Sequence, residues 1–181
     1  MARVHILGAS GSGTTTLGAA LARRLGCAHV DADTLFWLPT DPPFTTKRQK
    51  DQRQAMLHRL LPASGQWVFS GSAPEWATAL EPFYDVVVFL WLDRAVRMDR
   101  LRRRQTAQYG KRVEAGGDMA AADAEFMKWA AAYDSAGPEQ RSLFVHEAWL
   151  ATLRCPVLRL NSAAPLKELV FAVLSRLEAR Q

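Results

Sequence analysis

Gly8-Ala9-Ser10-Gly11-Ser12-Gly13-Thr14-Thr15 decides the fold. The short, β-rich stretch Val4-His5-Ile6-Leu7 precedes it. Leu17, Ala20, Leu21 and Leu25 follow at helical spacing, and Gly26 closes that helix. A glycine loop between a strand and a helix lets backbone N–H groups converge on phosphate oxygens, where the helix dipole adds positive potential. The pattern G-x-x-x-x-G-K-[ST] is met at Gly8, Gly13 and Thr15, the last falling where the hydroxyl binds Mg²⁺. Thr14 departs from it, standing where the pattern has Lys. The plain alternative is a Gly-rich strand-to-helix turn with no ligand.

Outward from this loop, strands are expected at Ala28–Asp31, Trp67–Ser70, Asp85–Leu92 and Pro156–Leu160. The unbroken apolar run Val86 to Leu92 suits a strand covered on both faces, and it is too short for a membrane helix of about 20 residues. Thr46 with Gln49 reads as a capping box opening a helix that Pro62 closes. Further helices are expected at Arg94–Gln105, Ala121–Tyr133, Leu143–Leu153 and Leu166–Leu177. Strands alternating with helices predict βαβ units and a parallel sheet. The stretch from about 105 to 140 is too long for a simple crossover and reads as an inserted lid.

Composition sets the outer bounds. With 181 residues, 49% hydrophobic and 23% charged, the chain is long enough for one domain with its own core. Its N-terminal stretch lacks the apolar region of a secretory leader. Cys27 and Cys155 read as two buried reduced thiols, so a cytoplasmic setting is expected and a structural zinc site is not. The net charge of +5 is uneven. Arg94, Arg97, Arg100, Arg102, Arg103, Arg104, Lys111 and Arg112 are opposed only by Asp99, which leaves the rest of the chain slightly acidic. One concentrated basic segment suits a local polyanion such as nucleotide phosphates and disfavours nucleic acid, whose proteins spread their charge more widely. A solvated helix face remains the bland reading.

Asp31-Ala32-Asp33 follows the second strand. On an extended chain both carboxylates share a side, one able to hold Mg²⁺ through water and the other to accept a substrate hydroxyl. A helix N-cap with a solvated turn is the alternative. Arg100 and Arg104 share a helix face and can clamp phosphates or stack on a base. Gly116-Gly117-Asp118 and Arg141-Ser142 read as hinge and phosphate-contact elements, and Lys47 with Arg48 starts the second helix near an expected anion. Trp37 and Trp76 could line a substrate pocket. His5 and His29 read as satisfied core or edge residues, and His146 is open to a core or a catalytic reading.

The order of these parts resembles the P-loop kinases of the nucleoside monophosphate kinase, shikimate kinase and gluconate kinase type over nearly the whole chain. Asp99-Arg100-Leu101-Arg102-Arg103-Arg104 is similar to the adenylate kinase segment D-R-x-x-x-R, which implies Arg100 on adenine and Arg104 on phosphate. Asp31-Ala32-Asp33 is similar to the shikimate kinase D-T-D, which implies Asp31 near Mg²⁺ and Asp33 on substrate hydroxyls. Ser70-Gly71-Ser72 lies where adenylate kinase has D-G-F-P-R, so that family's substrate-binding Arg is absent. A nearer likeness, in GASGSGTTTL, HVDAD, PTDPPF, WVFSGS, GGDM and HEAWL, is to small bacterial proteins labelled adenylate kinase-like or DNA topology modulation-like, which also carry Thr for the P-loop Lys.

The expected fold is therefore α/β, a single three-layer P-loop domain over residues 1–181 with a five-stranded parallel sheet in the order 2-3-1-4-5. The expected function is transfer of the γ-phosphoryl group of ATP (or GTP), with Mg²⁺, to a small acceptor: a nucleoside monophosphate or a small hydroxylated metabolite. Gly8, Ala9, Ser10, Gly11, Ser12, Gly13, Thr14 and Thr15 would cradle the phosphates, with Arg100 on the base. Thr15 and Asp31 would serve Mg²⁺, Asp33 the acceptor, and Arg104 and Arg141, with Arg112, would close on the phosphates. Two rivals stay open: a nucleotide-binding protein without turnover, and a nucleic-acid-associated regulator using the basic helix 94–112.

Overall fold

Val86, Val88 and Leu90 face one way from their strand and Val87 and Phe89 the other, so the apolar run feeds two cores at once. In this computed structural model, which describes residues 1–74 and 76–179, strands β1 (Arg3–Gly8), β2 (Ala28–Asp31), β3 (Trp67–Ser70), β4 (Val86–Trp91) and β5 (Val157–Asn161) form one parallel sheet. Its order is β2-β3-β1-β4-β5, as expected from the sequence. Glu75 and the last two residues of the expected 1–181 domain lie outside the described residues.

On one face lie helices α1 (Thr14–Leu25) and α7 (Leu166–Glu178), whose Leu17, Leu21, Leu169 and Val173 pack on Val4, Ile6 and Val88. On the other lie α2 (Ala32–Phe36), α3 (Lys50–Leu60) and α6 (Leu143–Leu150), with Leu35, Leu57 and Leu150 against Leu7, Phe69 and Phe89. Cys27 and Cys155 pack at the edges of these two cores, half-buried rather than fully buried. Helix α4 (Arg94–Tyr109) leads through a 3₁₀ turn at Gly110–Val113 to α5 (Ala120–Ala131). Met98, Leu101 and Ala130 form a third, smaller cluster between them.

Three local expectations are corrected. The Asp31-Ala32-Asp33 stretch is not extended: Ala32 starts α2, and Asp31 caps it by accepting from the Asp33 backbone N–H at 2.9 Å. Thr46 does not open a capping box; α3 begins at Lys50 with no side-chain cap. Trp37 instead pairs with Lys47 in an antiparallel bridge, and the Thr46 carbonyl accepts from the Leu38 N–H at 2.9 Å. Finally, α4 continues four residues past Gln105, so the helix carrying Arg100 and Arg104 grows directly into the expected lid.

Candidate functional site

The carboxyl ends of β1, β2 and β3 open onto a cleft of about 1440 Å³, the place where open parallel sheets bind ligands. That volume exceeds the roughly 300–1,000 Å³ of an ordinary small-molecule pocket, so it has room for a nucleotide and a second molecule together.

Residues 8–15 form one wall. A Cβ at Gly8 would stand 2.5 Å from the Leu90 carbonyl oxygen, so strand packing demands glycine there. Gly13 caps α1 at φ 91°, a left-handed conformation that glycine adopts without strain. The nearest atom to a Cβ built there is Arg100 Nη1 at 3.9 Å, so the cradle in front of the α1 N-terminus is open to a ligand and faced by a guanidinium. Ser12 Oγ is buried without a hydrogen-bond partner among the described residues. An orphaned hydroxyl, an open cradle and a helix N-terminus together fit a phosphate group.

Thr15 Oγ1 donates to Asp31 Oδ2 at 2.6 Å. A hydroxyl and a carboxylate converging beside the cradle form the hard oxygen donor set that Mg²⁺ prefers. Among the described residues no group of three or more His, Cys, Asp or Glu gathers as a metal site, so a cation here would complete its shell with phosphate oxygens and water.

Asp33 is exposed to the cleft. Its carboxyl is pushed above the usual range, first by the desolvating walls and then by the neighbouring Asp31 charge. The Arg141 and Arg104 guanidiniums and a hydrogen bond from Trp37 oppose that shift. Arg141 Nη2 donates to Ser10 Oγ at 2.6 Å, and its guanidinium lies 4.4 Å from the centre of the Trp129 ring. Burial pulls the Arg141 pKa down and Asp33 pulls it back up, but an arginine keeps its charge. Arg104 is exposed and lines the same cleft. Arg100 lines it too, with Nη2 reaching the Ser162 carbonyl at 3.4 Å.

Other cations of the basic segment are committed elsewhere. Arg97 is 1% exposed, and it is paired with Asp134 and bonded to the Leu92 carbonyl. Arg103 pairs with Asp99 on the helix surface. Arg112 is held by Asp118 and Asp41 and does not line the cleft, whereas Asp118, at the end of the Gly116-Gly117-Asp118 turn, does. Arg48 is occupied by the Leu35 and Trp37 carbonyls, whereas Lys47 does reach the cleft. Trp37 and Trp76 line it as expected. Sequence reasoning missed Ser72, which lines the cleft beside Gly71, and the tie between Ser72 and His146. A lone serine carries no pattern that would reveal it.

A family model described as "AAA domain" matches residues 4–128. "Uncharacterized protein YqaC" of Bacillus subtilis (strain 168) is 43% identical over 176 residues, covering 97% of each chain. Among solved structures, a shikimate kinase from Bacteroides thetaiotaomicron superposes with TM-score 0.59 at 20% identity, covering 98% of each chain. A shikimate kinase from Acinetobacter baumannii in complex with shikimate gives 0.57 at 14% identity, covering 100% of this chain and 95% of that one. A gluconokinase from Sinorhizobium meliloti 1021 gives 0.51 at 19% identity, covering 98% and 92%. At these identities the likeness shows a fold, that of the P-loop kinases.

Proposed function

The chain belongs to the P-loop family described as AAA domain, and from that premise we propose that it is a phosphotransferase, moving the γ-phosphoryl group of ATP (or GTP) to a small hydroxyl-bearing acceptor. The observation that carries this reading is Asp33. It opens into the cleft with a raised pKa, within electrostatic reach of two arginines, beside a loop built for phosphate. A carboxylate whose pKa is raised, and which opens into the cleft where it can take a hydroxyl proton, serves transfer rather than mere binding.

The bound Mg²⁺-nucleotide would supply an activated phosphoryl group. The backbone N–H groups of residues 8–15 would hold its phosphates. Thr15 would hold Mg²⁺ directly and Asp31 through water. Arg100, facing the cradle at Gly13, would lie toward the base, as the adenylate kinase-like likeness implies. Arg104 and Arg141 would neutralise charge as it develops on the transferring group, the main requirement of this chemistry. Asp33 would orient the acceptor hydroxyl and accept its proton. Thr14 supplies no charge, and Arg141 stands on the loop in its stead.

Arg141 on Ser10 argues against the inert-binder reading, which rests on the missing lysine. The pairing of Arg97, Arg103 and Arg112, with Arg100 and Arg104 turned to the cleft, argues against a nucleic-acid surface. We place it in the cytoplasm, where ATP is plentiful and thiols such as Cys27 and Cys155 stay reduced. Among the described residues no helix is long and apolar enough to cross a membrane.

The test is incubation with γ-labelled ATP and Mg²⁺ against a panel of nucleosides, nucleoside monophosphates, shikimate and gluconate. Label should pass to one acceptor class. ATP that binds while its label moves neither to any acceptor nor to water would establish the inert binder instead. Tight DNA binding with a steep salt dependence would favour the regulator.

A further inference from the structure

Ser72 Oγ lies 2.8 Å from His146 Nε2, and His146 Nδ1 lies 2.7 Å from the Tyr133 hydroxyl. The three come from separate places: the loop after β3, helix α6, and the turn after α5. His146 is fully buried and Tyr133 nearly so, and only Ser72 reaches the cleft. The register of the sheet places it there. Asp31 pairs with Ser70, so Asp33 and Ser72 each lie two residues beyond a paired position on neighbouring strands.

A second buried histidine pins the same turn. His5 Nε2 lies 2.9 Å from the Gly71 carbonyl, which can only accept, so Nε2 carries the proton. His5 Nδ1 therefore accepts from the Tyr84 hydroxyl at 2.8 Å. The backbone before Ser72 is thus fixed by one His–Tyr pair and its side chain by another. A half-buried serine needs no such support to be solvated. Conversely, each ring nitrogen of a buried histidine must find a partner, and His146 has one of its two on Ser72.

The His146–Tyr133 pair offers Ser72 two neutral arrangements. With the proton on Nε2, Tyr133 donates to Nδ1 and the Ser72 proton is free to point into the cleft. With the proton on Nδ1, Tyr133 accepts, Ser72 donates to Nε2, and its lone pairs face the cleft. Burial beside the Arg141 and His5 side chains holds His146 neutral, with its pKa pushed down to about 3. It is therefore no proton store, and what it governs is direction.

We propose that Ser72 is an acceptor-binding residue that holds the attacking hydroxyl beside Asp33, with His146 and Tyr133 as positioning residues that aim the Ser72 hydroxyl. The inference rests on the phosphotransferase reading of the same cleft and deepens it. The acceptor presents an oxygen that donates its one proton to Asp33 and accepts a hydrogen bond from Ser72, which is the behaviour of an alcohol.

The test uses the full chain, Mg·ATP as donor and water as the probe in the acceptor position, read as steady-state phosphate release. Ser72→Ala should lower kcat by about tenfold, the scale of one lost transition-state hydrogen bond, with KM for ATP unchanged. Ser72→Thr, which restores a hydroxyl, should recover most of the rate. Tyr133→Phe keeps the packing and removes only the hydroxyl, and it should lower kcat several-fold while ATP binding persists. Melting temperatures identify any variant that has failed to fold, in which case Ser72→Thr against Tyr133→Phe carries the comparison. Folded Ser72→Ala with the wild-type kcat would overturn the inference and leave the phosphotransferase reading standing. Loss of ATP affinity in place of rate would move Ser72 to the donor side and overturn it equally. A wild-type protein that binds Mg·ATP but transfers to neither water nor any alcohol would overturn both.

Discussion

Arg141 rests on Ser10 through a 2.6 Å hydrogen bond between residues 131 apart in sequence, and this brings a permanent cation onto a glycine loop whose lysine position holds Thr14. The Arg141 guanidinium also lies 4.4 Å from the centre of the Trp129 ring, and Arg141 Nε is buried without a hydrogen-bond partner among the described residues. Such a group is held in place before any ligand arrives, which is what electrostatic catalysis requires.

Arg141→Ala should lower kcat/KM for ATP by about 10²-fold, the effect of removing one preorganised charge at a transferring phosphoryl group. Thr14→Lys should restore much of that loss in the Arg141→Ala protein and add little to the unmutated one. Steady-state kinetics on the four proteins of this double-mutant cycle give the coupling, and strictly additive effects would show that Arg141 does not replace the lysine. Arg104→Ala, an exposed group on the same cleft, should be the milder single change.

Asp33→Asn should suppress transfer by about 10²-fold or more while KM for ATP stays near its original value. The same change should leave the melting temperature at neutral pH unchanged or higher. The sign follows from the raised pKa: above the unfolded value the folded chain holds the Asp33 proton more tightly, so ionisation costs stability as pH rises. A large drop in melting temperature would mean that the Asp33 charge holds the fold together rather than serving the cleft.

Arg97 and Arg102 are five residues apart on one helix but should behave oppositely. Arg97 is buried against Asp134, the Leu92 carbonyl and the Tyr133 ring, while Arg102 is exposed. Arg97→Ala empties a buried site and removes the bonds to Asp134 and the Leu92 carbonyl, and should cost about 2–3 kcal/mol in chemical denaturation. Arg102→Ala should stay within about 0.5 kcal/mol of the original.

Stability should fall on the acid side of neutrality. His5 and His146 are buried and neutral, with pKa values pushed down from the usual 6.5 to about 4 and about 3, mainly by burial. Below pH 6.5 the unfolded chain binds protons that the folded chain refuses, so folding free energy is lost as pH drops toward 4. Each histidine contributes at most about 1.4 kcal/mol per pH unit over that window. Urea unfolding between pH 4.5 and 7.5 measures the slope, and His146→Gln should make it shallower. An unchanged slope in that variant would show that His146 is not held neutral by the fold.

The sheet was legible because two of its inner strands announce themselves, β1 by the glycine loop after it and β4 by an apolar run that feeds both cores. Helix α2 was hidden because five residues show no helical period, and a capping aspartate reads equally well as a turn. The Thr46–Gln49 pattern misled because Trp37 and Lys47 pair across that loop, spending its backbone groups before a helix can use them. On the site, charge counting treated the basic segment as one object. Only burial and ion pairing separate the structural Arg97 and Arg112 from Arg100 and Arg104 in the cleft. Ser72 was invisible because its meaning lies in a partner on α6, 74 residues away.

Calorimetric titration with Mg·AMP-PNP decides whether residues 8–15 seat the phosphates of a nucleotide. One site per chain is predicted, with no measurable binding to Gly13→Val, since a side chain in the cradle both strains a position at φ 91° and blocks approach to the α1 N–H groups. Circular dichroism and melting of that variant establish that the fold survives. A folded Gly13→Val protein that binds Mg·AMP-PNP as tightly as the original would show that residues 8–15 are not the phosphate seat.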